Sequence, residues 1–261
     1  MTLVRLVPRV LVLPLALLAL ALAAGGRPGP ASLPIKLSDS LTWSVEASLG
    51  GKPAVVTIDT GAAVCRFAPS TLAGARPAGT APGTGRPAEP PSFDLVRVPS
   101  LAIGPTAWSG AVVASWPLLD EMHVAGIVSA RVFDGTPVTL DPVARRLIFE
   151  DDAGLRGRVL VGVSVPLVLR REGEASLLPL LRATVDGASR LLVLDTGLPN
   201  ALELESAAGP HSVSLAPGLS RTSLESYQRA TPGADGRLGL RFFERKTLTL
   251  DLPRSRLIVS R

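Results

Sequence analysis

Two blocks of matching sequence, 136 positions apart without a gap, constrain this chain more than any other feature. Val45-Glu46-Ala47-Ser48-Leu49-Gly50-Gly51 leads into Val55-Val56-Thr57-Ile58-Asp59-Thr60-Gly61. Leu181-Arg182-Ala183-Thr184-Val185-Asp186-Gly187 leads into Leu191-Leu192-Val193-Leu194-Asp195-Thr196-Gly197. Each block reads as an alternating strand, a glycine turn and an apolar strand that ends in Asp-Thr-Gly. Self-similarity of this kind predicts two related structural units.

A second pair of landmarks follows at an offset of 110. Val138-Thr139-Leu140-Asp141-Pro142 and Leu147-Ile148 match Leu248-Thr249-Leu250-Asp251-Leu252 and Leu257-Ile258. Both read as a strand, an Asp/Pro turn and a returning strand. Just upstream, Gly126-Ile127-Val128-Ser129 and Phe133 match Gly236-Arg237-Leu238-Gly239 and Phe243. The same landmarks in the same order predict an all-β protein of two related lobes, 37–152 and 153–261. The halves are unequal: 65 positions separate Gly61 from Gly126, but 39 separate Gly197 from Gly236. The extra length in lobe one includes a Gly/Pro-rich stretch from Gly74 to Pro91 and a strand-like run, Val96 to Val113, broken at Gly104-Pro105. Lobe two is expected to lack the middle hairpins, with Pro210 and Pro217 as breakers. Short helices are expected within Ala111 to Met122 or Ser220 to Arg229.

The N-terminus reads as an export signal. Arg5 and Arg9 precede an uncharged apolar run, Val10 to Ala24, and Ala21-Leu22-Ala23 offers a small-residue cleavage pattern. The run is short of the roughly 20 residues that span a bilayer. Residues 1–23 are therefore expected to be a signal peptide, with a retained membrane anchor as the alternative, and 24–36 a spacer. The mature protein is expected to be periplasmic or extracellular. Contact with a membrane is expected only if the segment is retained.

Composition removes several classes of function. One cysteine excludes an internal disulfide framework and multi-cysteine metal sites, and two histidines leave little for zinc. The charge of +5 is scattered and aromatics are 4%, which argues against a nucleic-acid stacking surface. Gly79 to Gly85 lacks the lysine of a phosphate loop, and no Gly-x-Ser-x-Gly elbow accompanies His123 or His211. Those histidines are expected on surface loops, Cys65 inside as a small hydrophobe, Asp141 and Asp251 as turn residues, and Arg145, Arg146, Arg254 and Arg256 in solvent.

A carboxylate at the tip of an apolar strand is expensive to bury alone. Two brought face to face share a proton, because like charges about 3 Å apart do not both ionise easily. The protonated member donates to a substrate carbonyl, and the ionised member takes a proton from a water between them. The threonine after each Asp offers a hydroxyl to the facing loop, and the glycine lets the two backbones approach.

These motifs resemble the retropepsin-like aspartic peptidases, in particular the bacterial exported "aspartyl protease" proteins. The resemblance is carried by V-T-I-D-T-G-A-A (Val56 to Ala63), L-V-L-D-T-G-L-P (Leu192 to Pro199), the G-I-V-S and R-L-G elements and the T-L-D hairpins, from about Trp43 to the end. It implies two lobes of the acid-protease barrel type, each a small closed barrel, with a cleft between them. It also implies a catalytic pair, Asp59 and Asp195, supported by Thr60, Gly61, Ala62, Thr196 and Gly197. The implied substrate is polypeptide, with no cofactor or metal. A mobile hairpin over the substrate is expected within Pro77 to Pro99. Leu198 stands where a small residue is usual, which predicts crowding of Asp195. Ser129 and Arg237 also depart from the pattern. Two alternatives follow from these departures: a peptide-binding module without catalysis on the same scaffold, and a homodimer that pairs two Asp59 loops.

Overall fold

The computed structural model describes residues 30–37, 42–83, 89–205 and 208–260. The expected export segment lies outside them. Among the described residues no helix is long and apolar enough to cross a membrane.

The repeat folds as the same β-hairpin twice. In Trp43–Leu49, Trp43, Val45 and Leu49 are buried while Glu46 faces out, as a strand with one covered face requires. Gly50 and Gly51 turn the chain with φ of 57° and 83°, into Lys52–Ile58. In lobe two, Asp186 and Gly187 do the same at 48° and 84°, between Leu178–Val185 and Ala188–Asp195. Two positive φ values in a two-residue turn match the twist of the flanking strands, which is why Gly-Gly and Asp-Gly stand there.

The second strand of each hairpin then pairs in parallel with the later Gly-rich element. Lys52–Ile58 pairs with Gly126–Val128, and Ala188–Asp195 with Gly236–Gly239. Lobe two closes as a six-stranded barrel. Its ring runs Leu178–Val185, Ala188–Asp195, Gly236–Gly239, Leu202–Leu204, Leu219–Gln228 and Gly209–Ala216, and back to Leu178–Val185. Lobe one is a half-barrel, which corrects the expectation of two closed ones. Its corresponding strand breaks at Val98-Pro99 into Ser92–Arg97 and Ser100–Ile103, because a proline brings no N–H to the ladder. Val98 N–H to Ala111 O, 2.9 Å, and Gly110 N–H to Pro99 O, 2.8 Å, carry the pairing across the bend.

A six-stranded sheet joins the lobes, in the order Ser32–Pro34, Arg146–Phe149, Val138–Asp141, Thr247–Asp251, Arg256–Ser260 and Val163–Arg170. The two Thr-Leu-Asp hairpins meet at its centre with Thr139 opposite Thr249. Their hydroxyl oxygens are 2.7 Å apart and fully buried, on the local twofold axis of the molecule. Among the described residues the first strand is Ser32–Pro34, which falls within the expected spacer. One further expectation needs correction. Lobe two keeps a middle hairpin, Gly209–Ala216 with Leu219–Gln228, where Pro217 sits in the turn and Pro210 within a strand. What it lacks is the longer hairpin of lobe one, Arg76–Pro82 with Ser92–Arg97, which is the expected cleft hairpin. Of the two stretches expected to offer a short helix, Ala111 to Met122 forms one, Leu118–Glu121, while Ser220 to Gln228 is strand, with Leu224 facing the core among exposed polar neighbours.

The segment from Arg171 to Leu177 straps lobe two to lobe one. Arg171 holds both oxygens of Asp134 at 2.5 and 2.6 Å, and Arg131 adds a third bond at 3.1 Å. Leu177 N–H donates to Ala63 O at 3.0 Å, and Arg131 Nε to Glu174 O at 2.9 Å. The Arg171 hydrogen bonds, reinforced by the charges of Arg171 and Arg131, hold the Asp134 carboxyl below the usual carboxylate range. A carboxylate lowered in the folded state stabilises fully above its unfolded pKa, about 3.9, and loses that contribution as pH falls through the folded value. Asp134→Asn is expected to cost about 1 kcal/mol near pH 7. The cost should shrink toward zero at about pH 2, as read by urea unfolding at the two pH values.

Candidate active site

Both Asp-Thr-Gly loops end parallel strand pairs and meet across the twofold axis. The threonines exchange bonds reciprocally. Thr60 Oγ1 donates to Leu194 O at 2.6 Å and accepts from Thr196 N–H at 3.1 Å. Thr196 Oγ1 donates to Ile58 O at 3.1 Å and accepts from Thr60 N–H at 3.0 Å. Four buried backbone groups at the strand ends are thereby satisfied, each by a hydroxyl from the other lobe.

The brace sets Asp59 and Asp195 over one another's glycines. A Cβ on Gly61 would lie 2.1 Å from the Asp195 carboxyl carbon, and one on Gly197 2.4 Å from that of Asp59. Glycine is required at both positions because a carboxylate occupies the space of a side chain. Asp59 Oδ1 accepts from Gly61 N–H at 2.9 Å and Ala62 N–H at 3.1 Å; Asp195 Oδ1 accepts from Gly197 N–H at 3.0 Å. The sequence-derived residues Asp59, Thr60, Gly61, Ala62, Asp195, Thr196 and Gly197 thus form one cluster in a single chain. Asp59 is 4% exposed and Asp195 0%.

Leu198 does not displace Asp195. It is buried, and the backbone around it requires glycine at Gly239, where a Cβ would stand 2.0 Å from Asn200 O and 2.8 Å from Leu198 O. In lobe one Ser129 takes the place of Gly239, with its hydroxyl 3.4 Å from the Cys65 thiol. Cys65 is buried as expected, and burial raises its pKa despite bonds from Ser129.

The sequence reading noted Arg237 as a departure but not its partner. Arg237 is 2% exposed, and its Nη1 donates to Asp195 Oδ2 at 3.0 Å, while Nε reaches Thr231 Oγ1 at 3.3 Å. The signal was the charge within the apolar strand Gly236–Gly239, at the position where lobe one carries Ile127. A buried arginine beside a strand that ends in aspartate calls for an anion, and Asp195 is in reach. Opposite Arg237 in the ladder is buried Glu203, whose Oε1 accepts from Arg229 at 3.3 Å.

A cavity of about 330 Å³ lies beside the cluster, bordered by Gly61, Arg237, Thr231, Arg170, Pro82 and Gly83. An adjoining one of about 230 Å³ is apolar at Val64, Phe93, Leu95 and Val112. Residues of the hairpin Arg76–Pro82 with Ser92–Arg97 border both, and Arg66 holds the stretch that leads into its second strand. That guanidinium bonds Glu89 at 2.6 Å and stacks 4.8 Å from Phe93 and 5.2 Å from Trp116.

Other candidate groups stand outside this cluster. His211 pairs with Asp186 at the lobe-two hairpin turn, 2.5 Å apart. Asp141 caps its turn by accepting from Val143 and Ala144 N–H. Arg254 is exposed, as expected, and Arg256 is partly covered; both pair with buried Asp251, at 3.3 and 2.8 Å. Among the described residues no three His, Cys, Asp or Glu side chains gather to hold a metal ion.

No family model and no curated protein matches this chain. Among solved structures it is similar to basic 7S globulin from soybean, a protein of the pepsin-like aspartic protease fold. The superposition has a TM-score of 0.54 and covers 89% of this chain and 96% of that one, at 13% identity. The likeness shows an all-β, two-lobed scaffold of the aspartic-protease type.

Valine in place of Thr60 keeps the shape but leaves Leu194 O and Thr196 N–H without their buried partner. Thr60→Val is expected to lower unfolding free energy by about 2 kcal/mol, and Thr60→Ser by much less, in chemical denaturation.

Proposed function

We propose that this chain is an exported aspartic-type endopeptidase that hydrolyses peptide bonds in the cleft between its lobes. One observation carries the reading: two aspartates from symmetry-related loops, locked by reciprocal threonine bonds, stand over each other's glycines, next to a cavity that Gly61 and Arg237 help to line. This arrangement suits acid–base activation of water. The water oxygen bonds to the carbonyl carbon and gives one proton to the ionised carboxylate, while the protonated one gives its proton to the carbonyl oxygen. The resulting diol collapses as the C–N bond breaks. The leaving nitrogen takes the proton from the first carboxylate, and a diol hydroxyl returns one to the second. The site is regenerated without a covalent intermediate or a cofactor.

The Asp59 loop is braced by the Asp195 loop of the same chain, which fills the place that a second Asp59 loop would take in a homodimer. The apolar N-terminal run supports export, into the periplasm or outside the cell, and polypeptide is the substrate class that an extended cleft accepts.

A peptide-binding module without turnover is the second reading, favoured by the complete burial of Asp195 and its bond to Arg237. Asp59→Asn and Asp195→Asn separate the two. Each is expected to fold and to lose cleavage of an unfolded fluorogenic protein by about a thousand-fold or more. Statine-type peptides, which mimic the tetrahedral state, are expected to inhibit the unaltered protein. Statine peptides that bind without any turnover by the unaltered protein would establish the second reading instead.

A further inference from the structure

Arg237 has no place in the hydrolytic scheme, yet it is the cation bonded to one of the two carboxylates. We infer that Arg237 is a positioning residue that fixes the charge asymmetry of the pair. It holds Asp195 ionised, sends the shared proton to Asp59, and moves loss of that proton to lower pH, so that the site works in acid and falls silent toward neutral pH. The consequence for activity rests on the endopeptidase reading; the charge assignment does not.

The argument begins with the mirror positions. In lobe one the slot beside the Asp59 strand holds Ile127, in parallel register with Thr57; in lobe two it holds Arg237, in register with Val193. Ile127 brings no charge, whereas Arg237 brings one to Asp195 Oδ2 at 3.0 Å with both side chains within 3% of full burial. Two carboxylates and one shared proton carry a net charge of −1; with the guanidinium the group is neutral. Loss of the proton takes the bare pair to −2 but the arginine-linked pair only to −1, so the cation favours the doubly ionised state. The two carboxylates titrate as a coupled system, and the cation lowers both of its macroscopic steps. Within the singly protonated state the carboxylate nearer the cation is the ionised one.

The surroundings leave this sign unchanged. Asp59 and Thr60 face the pair from lobe one, and Thr196 and Thr231 from lobe two. Glu203, across the ladder from Arg237, has its own cation in Arg229. In the cleft, Arg170 is bonded to Gly233 O and Pro232 O and lies 3.7 Å from Glu172. Replacing Arg237 by an apolar residue also deprives Asp195 of polar surroundings, which disfavours its charge and acts in the same direction.

The test substitutes the mirror residue, Arg237→Ile, with Arg237→Lys as the charge-preserving control. The alkaline limb of kcat/KM for an unfolded fluorogenic protein is expected to move up by about 1–3 pH units in Arg237→Ile and to stay near the original in Arg237→Lys. An unmoved limb in Arg237→Ile would overturn the inference. Carboxyl carbon NMR of ¹³C-Asp-labelled protein, assigned with Asp59→Asn and Asp195→Asn, reads the same charges without turnover. In the unaltered protein Asp195 is expected to keep its ionised shift while Asp59 takes the proton first on acidification. Protonation of Asp195 first, or of both together, would refute the assignment even if Arg237→Ile does not fold. Absence of cleavage at every pH would sink the endopeptidase reading alone, and the NMR titration would still decide the role of Arg237.

Discussion

The reciprocal bonds of Thr60 and Thr196 are the interaction on which the rest of this structure depends. Each hydroxyl satisfies a carbonyl and an N–H that the opposite strand end would otherwise bury unpaired. Removal of one hydroxyl strands a carbonyl and an N–H in the opposite lobe, so each loop depends on the other for its shape. The brace sets the distance between loops, and that distance dictates glycine at Gly61 and Gly197, since each carboxylate fills the volume above the other's glycine. Thr139 and Thr249 repeat the device in the shared sheet, where two equivalent hydroxyls meet in a buried contact. Polar groups thus lie on the axis at both levels. Hydroxyls suit that position because one group both donates and accepts, so identical residues facing each other still form a bond.

Much of this was legible in the sequence because it is local and periodic. A two-residue turn with positive φ needs Gly-Gly or Asp-Gly, and a strand with one covered face needs alternation. The offset of 136 therefore gives the paired hairpins and the meeting of Asp59 with Asp195. The Thr-Leu-Asp match gives the second axis contact in the same way. The expected boundaries were weaker where short pieces gain their structure from distant partners. Ser32–Pro34 is a strand because Arg146–Phe149 offers it an edge, and its three residues carry no pattern of their own. Pro217 breaks the strand as it reads, in the turn between Gly209–Ala216 and Leu219–Gln228, whereas Pro210, also read as a breaker, lies within a strand. Pro99 was the more consequential proline, since it splits one strand and opens the barrel of lobe one.

At the site, the chain positions of the aspartates, threonines and glycines were readable, but the electrostatics were not. Leu198 looked obstructive when read alone. In the fold it is buried without displacing Asp195, whose carboxyl still accepts from Gly197 N–H. Arg237 was visible as a misplaced charge, but its partner is fixed by the parallel register of two strands far apart in sequence.

The two lobes share a fold and differ in where they place buried charge. In lobe one the strand pair beside the site matches Arg66 with Ile127; in lobe two the equivalent pair matches Glu203 with Arg237. Arg66 turns away from the aspartates, to Glu89 and Phe93 of the long hairpin that lobe two lacks and to the ring of Trp116. Without such a hairpin, lobe two has no equivalent aromatic slot to receive a cation, and its arginine sits one strand nearer the axis and takes Asp195 as its counter-charge. The unequal lengths of the halves and the unequal charges of the carboxylates therefore have a common structural root. The hairpin that walls the cavities also gives lobe one a place to neutralise its buried arginine away from the two aspartates, and the shorter lobe places its own against one of them.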